Sequence, residues 1–179
     1  MEKQNFNVKI YEACSDDELR PIMMCVHFKD GYAYASEGHI LVKQSLEYHS
    51  IINPEILNGR SIHRDNFKNI MQFEIAECTE DGIVCKDADG RTAVFDYFDM
   101  KGESMPDFEK FFNGNEIKEV RFIGLNFKLI NKLEKAMHNP IGIFRLRFQG
   151  NDKCVMIDVA DIPNQWAIIM PALIEEGLF

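Results

Sequence analysis

Short stretches in which apolar and polar residues alternate follow one another along this chain, separated by glycine, aspartate and asparagine. A period of two marks strands with one buried face. Residues 23–29 read as a strand, Lys29-Asp30-Gly31 as a turn, and 32–37 as the second arm of a hairpin. Residues 41–46 alternate again. Further on, 73–78 turns through Glu80-Asp81-Gly82 into 83–85, and 87–90 makes a hairpin into 92–97. The last strands are expected at 143–148, at 154–159 after the turn 149–152, and at 166–170.

Helical spacing is rarer. It is clearest over 127–138, where Leu129, Ile130, Leu133, Ala136 and Met137 fall on one face. Asn126 is the expected N-cap, and Asn139-Pro140 ends the helix. Lys128, Lys132 and Lys135 lie on the opposite face. A shorter helix fits 64–71, with Phe67, Ile70 and Met71 inward and Arg64 and Lys68 outward. A third is expected at 15–20, where Ser15 and Glu18 read as a capping box before Pro21. The order strand, helix, three strands thus recurs about three times, over 5–50, 56–112 and 116–174. Each unit buries a helix face against a sheet, so the fold class is α+β.

Composition narrows the picture. The 179 residues are 46% hydrophobic, enough for a substantial core. No apolar run reaches the length of a membrane span, and the polar N-terminus lacks a signal-peptide core, so a cytoplasmic protein without membrane contact is expected. The five cysteines form no C-x-x-C pair and read as buried reduced thiols. The net charge of −9 is concentrated between residues 74 and 119, where 13 acidic residues face 5 basic ones. Any contact with nucleic acid would need a local basic stripe.

Three stretches carry a resemblance. The first runs from Leu19-Arg20-Pro21-Ile22-Met23 through Asp30-Gly31 to Ala35-Ser36-Glu37-Gly38-His39-Ile40-Leu41. The second is Lys101-Gly102-Glu103-Ser104-Met105-Pro106-Asp107-Phe108. The third joins Gly124-Leu125-Asn126-Phe127-Lys128 and Ala136-Met137 to Ile168-Ile169-Met170-Pro171. In this order they resemble segments of the bacterial DNA polymerase III beta subunit, the beta sliding clamp family. The resemblance covers the family's middle domain and the second half of its third. It implies a DNA-clamp-like fold of repeated units, with sheets outside and helices on one face. Residues 1–113 would be a two-unit domain and 114–179 a half domain. On this resemblance, the parts of the family that close a two-fold ring would have no counterpart among these residues.

By position, the resemblance implies a peptide-binding pocket walled by Met23, Ser36, Gly38, His39, Leu41, Ile168, Met170, Pro171 and Ala172. Its partners would be polymerases and other replication proteins carrying peptides that end in Leu-Phe. Ser36 stands where the family has threonine, Ile40 where it has a basic residue, and Ala172-Leu173 where it has Met-Arg. The lysines at 128, 132 and 135, with Arg64 and Lys68, would face double-stranded DNA. A solvated helix face is the plain alternative. The chain ends Gly177-Leu178-Phe179, which resembles the peptide itself. Leu178 and Phe179 would fill the pocket of a neighbouring copy or of a full-length clamp, or they are simply an apolar terminus.

The function expected is a non-catalytic, sliding-clamp-like replication accessory, with no cofactor and no metal. Three units per chain against twelve in a family ring would make a homo-oligomer of four. The alternative is an adaptor or decoy that sequesters peptides without encircling DNA. A further alternative, a small cytosolic enzyme, rests only on Cys25 beside His27 and on Glu37 near His39. His49 and His63 lack metal-ligand spacing, and no phosphate-binding loop or nucleophile elbow occurs.

Overall fold

A computed structural model of the chain describes residues 8–112 and 116–172. Ten strands and two α-helices are found among them. The strands are β1 (Cys25–Lys29), β2 (Tyr32–Ser36), β3 (Ile40–Ser45), β4 (Ser61–His63), β5 (Ile75–Cys78), β6 (Ile83–Lys86), β7 (Thr92–Phe95), β8 (Phe144–Arg147), β9 (Val155–Val159) and β10 (Gln165–Ile169). The helices are α1 (Arg64–Ile70) and α2 (Phe127–Ala136).

Seven strands form one antiparallel sheet in the order β4-β1-β2-β3-β10-β9-β8, and β5-β6-β7 form a second. The β1–β2 hairpin turns at Asp30 and Gly31, with φ of 51° and 80°. This is the left-handed pair that a two-residue turn between twisted strands requires. The middle unit is complete: β4, α1, β5, β6 and β7 follow in that order. β4 does not stay with its unit but pairs with β1, Val26 opposite Ile62. Strands from the two ends of the chain meet where β3 pairs with β10, Leu41 opposite Ile168.

The large sheet has two differently used faces. Val26, Phe28, Ala33, Ala35, Ile40, Val42, Ile157, Ala167 and Ile169 point into the main core, together with Leu133 and Ala136 of α2 and Phe67 and Ile70 of α1. The short sheet adds Ala76, Cys78, Ile83 and Cys85 to that core. On the other face Tyr34, Leu41 and Ile168 pack with Phe108 in a separate cluster. The alternation read from sequence is this division, since successive side chains of a strand point to opposite faces.

The helix expected at 15–20 does not form. Ser15 Oγ accepts from the Asp17 N–H at 3.1 Å, and Asp17 Oδ1 accepts from the Leu19 N–H at 3.0 Å. Such short side chains offer the backbone an alternative to helix, and here the alternative wins. Helical turns of the 3-10 kind flank the segment instead, at Ile10–Ala13 and at Pro21–Met24. The second pushes the start of β1 from the expected residue 23 to Cys25. Asn126 does cap α2, its side chain accepting from the Lys128 N–H at 2.9 Å. No helix among the described residues is long and apolar enough to cross a membrane.

Candidate peptide-binding cleft

The β3–β10 pairing continues past the strand ends, since the Met170 N–H donates to the His39 carbonyl at 2.8 Å. Beside this seam lies a cleft of about 260 Å³. Seven of the nine residues expected from sequence line it: Met23, Ser36, Gly38, His39, Leu41, Ile168 and Met170. Residues 36–41, which span the β2–β3 turn and supply four of them, are held by their own side chains. Ser36 Oγ donates to the Ile40 carbonyl at 2.6 Å and accepts from the Gly38 N–H at 3.1 Å. Glu37 Oε1 accepts from the His39 N–H at 3.2 Å. Gly38 has φ of 106°, a conformation that side-chain-bearing residues rarely adopt.

Pro171 and Ala172 do not line the cleft. The Ala172 N–H donates to the Gly124 carbonyl at 2.8 Å, so the chain has turned toward the residues that precede α2. In their place the segment 105–112 supplies the remaining wall, through Pro106, Asp107, Phe108, Lys110 and Phe111. Ile40 also lines it. Part of this wall, 105–108, falls in the stretch 101–108 that carries the resemblance. Its packing against β2 and β3 had no signal. The floor is apolar, Phe108, Leu41 and Ile168 being buried, while Met170 at 42% exposure is free to adapt.

The remaining expected site residues fall elsewhere. Lys68, Lys128 and Lys135 are exposed. Lys132 Nζ lies 3.4 Å from Glu37 Oε2, which links α2 to the β2–β3 turn. Arg64 does not point out as expected. Its guanidinium pairs with the Asp16 carboxylate and donates to the Ser15 carbonyl at 3.0 Å. Leu178 and Phe179 lie outside the described residues. Arg145 and Arg147 border a wider cleft of about 490 Å³, but both close on Asp158 at 2.6 and 2.8 Å.

The Cys25–His27 pair does not make a nucleophile. His27 Nε2 donates to the Ile22 carbonyl at 2.9 Å, which leaves Nδ1 to accept from the Ser61 hydroxyl at 2.8 Å. Burial lowers the His27 pKa to about 4 and raises that of Cys25 to about 12. At neutral pH both stay uncharged, whereas a reactive thiolate needs the opposite shifts. All five cysteines are free, and four are buried. His39 is exposed and 3.4 Å from Glu37, and no further side chain among the described residues orients it for acid–base work.

These layers, strand-rich sheets outside a core crossed by few helices, are the DNA-clamp fold. Among solved structures, the chain is similar to the DNA polymerase sliding clamp from Pseudomonas aeruginosa, with a TM-score of 0.63 at 12% identity over 94% of this chain and 64% of that one. A putative DNA polymerase III beta subunit from Eubacterium rectale gives 0.65 at 11% identity, over 92% and 62%. A sliding clamp from Bartonella birtlesii, bound to griselimycin, gives 0.62 at 12% identity, over 93% and 63%. The chain therefore spans less than two thirds of the clamps it matches. No family model matches the sequence, and no curated protein does.

Proposed function

We propose that this protein is a non-catalytic, clamp-like accessory of DNA replication that holds short apolar peptides in the cleft at the β3–β10 seam. The observation that carries this reading is the cleft itself. Segments more than a hundred residues apart meet there, and seven residues named from sequence line it. Its buried Leu41, Phe108 and Ile168 offer seats for apolar anchor side chains, which supply most of the affinity of such grooves. Lys110, Asp107 and His39 form a polar rim that orients the peptide backbone. A clamp of the same fold is found bound to griselimycin, in keeping with a fold that accepts ligands.

Binding of a fluorescein-labelled peptide ending in Leu-Phe, followed by anisotropy, tests the reading. Saturable binding is expected, weakened about tenfold or more by Met170→Ala and by Leu41→Ala, the scale of removing one buried anchor contact. His39→Ala, at the exposed rim, should change it less. Absence of saturable binding by the wild-type protein overturns the reading.

A further inference from the structure

The wall that the segment 105–112 contributes to the cleft is held in place from outside it. Glu109 accepts hydrogen bonds from the Tyr34 hydroxyl and, at 2.6 Å, from Lys43 Nζ. The Lys43 side chain is only 13% exposed. Its ammonium lies 4.2 Å from the Tyr32 ring centre, 5.4 Å from that of Trp166 and 5.7 Å from that of Phe112. A desolvated ammonium among aromatic rings depends strongly on its counter-ion. Next to Glu109, the buried Phe108 stacks on Tyr34 at 5.6 Å.

These groups stand in step with the cleft. Ser36, Leu41 and Ile168 line it, while Tyr34, Lys43 and Trp166 sit two positions away on β2, β3 and β10, hence on the same sheet face. On the segment itself Phe108 and Lys110 line the cleft and flank Glu109. A second hollow of about 210 Å³ is lined by Lys43, Glu109, Phe112, Met156 and Trp166, so the Lys43–Glu109 pair borders open space. The segment is tied to the sheet by the buried Phe108, with Met105 and Phe112 packed beside it, and by the Glu109 bonds.

We propose that Lys43, Glu109 and Tyr34 are positioning residues for the cleft: their hydrogen bonds latch 105–112 to the sheet, and loss of the latch weakens peptide binding although none of the three lines the cleft. This rests on the peptide-binding reading above. The latch acts on the bound state by keeping the wall from yielding, so its loss should appear mainly as faster release.

The experiment compares the wild type with Glu109→Gln, which keeps the shape and removes the charge, and with Lys43→Met and Tyr34→Phe. Trp166 is the only tryptophan in the chain, so its emission reads the latch directly, without peptide. In variants that keep the wild-type circular dichroism, a shifted Trp166 emission and faster amide exchange over 105–112 are expected. The labelled Leu-Phe peptide should dissociate about tenfold faster from Glu109→Gln, as expected for a lost charge-assisted bond. The double variant Lys43→Met/Glu109→Gln should lose little more than either single one, because both break the same contact. Unchanged emission and exchange in Glu109→Gln would overturn the latch. Changed emission and exchange with peptide release within twofold of the wild type would overturn its link to the cleft. A wild type that binds no peptide sinks the cleft reading and the positioning role with it, while emission and exchange still decide whether the segment is latched.

Discussion

His49 is fully buried, and neither ring nitrogen meets a hydrogen-bond partner among the described residues. Its ring lies edge-on to Phe67 at 5.7 Å. Burial lowers its pKa to about 4, and burial does the same to His27. An unfolded histidine titrates near 6.5, so between there and 4 the unfolded chain binds more protons than the folded one. Stability is therefore complete above about pH 6.5 and is lost as pH falls toward 4, by an amount on the order of 3 kcal/mol per histidine. Urea midpoints measured from pH 7.5 to 4 should follow that course. His49→Leu should roughly halve the fall and, by removing a buried polar group without a partner, raise stability at pH 7 by about 1 kcal/mol. A pH profile unchanged by the substitution would refute this account. No local pattern marks either histidine as buried, since the groups packed on them, Ser61 on His27 and Phe67 on His49, lie at distant positions in the chain.

At the scale of elements, what was legible is what is local. α2 announced itself through Asn126 and through Leu129, Leu133 and Ala136 at helical spacing, and each does what the pattern implied. The segment 15–20 misled because a capping box and a pair of side-chain-closed turns use the same residue types. β4 is three residues long, too short to display a period, and its identity comes from pairing with β1. The wall at 105–112 has no period either. It is placed by Glu109 meeting Tyr34 and Lys43, partners 75 and 66 positions away. The lysine stripe of α2 is likewise modified by a distant residue, since Glu37 pairs with Lys132. Lys128 and Lys135 are the exposed members of the stripe, and no ion pair holds them among the described residues. If this face meets duplex DNA, Lys128→Ala/Lys135→Ala should weaken binding equally across sequences. It should also reduce the slope of log K against log salt by about 2, one for each phosphate contact. Lys132→Ala should do less. Anisotropy with a labelled duplex at several salt concentrations measures this, and an unchanged slope would leave the stripe as a solvated helix face.

For the whole molecule, the decisive pairing is the one between β3 and β10. It joins residues on the two sides of the division expected near residue 113 into one seven-stranded sheet. β10 sits inside that sheet, paired with β3 on one side and β9 on the other. Ala167 and Ile169 on its inner face belong to the same core as Val42 of β3, Phe67 of α1 and Cys85 of β6. A core shared this widely leaves no part able to open alone without exposing apolar surface of the rest. The sequence division into a domain and a half domain therefore need not be a division in stability. Thermal unfolding should be one transition with equal calorimetric and van't Hoff enthalpies, on the order of 100 kcal/mol for a chain of this length. Native-state amide exchange should protect β1–β3 and β8–β10 to the same limiting free energy. Ala167→Pro, which takes a ladder donor from a central strand, should lower protection in both sets together and abolish the cleft. Two resolved transitions, or protection surviving in β8–β10 after β1–β3 have opened, would instead mean two separate folding units, with the cleft existing only where they dock.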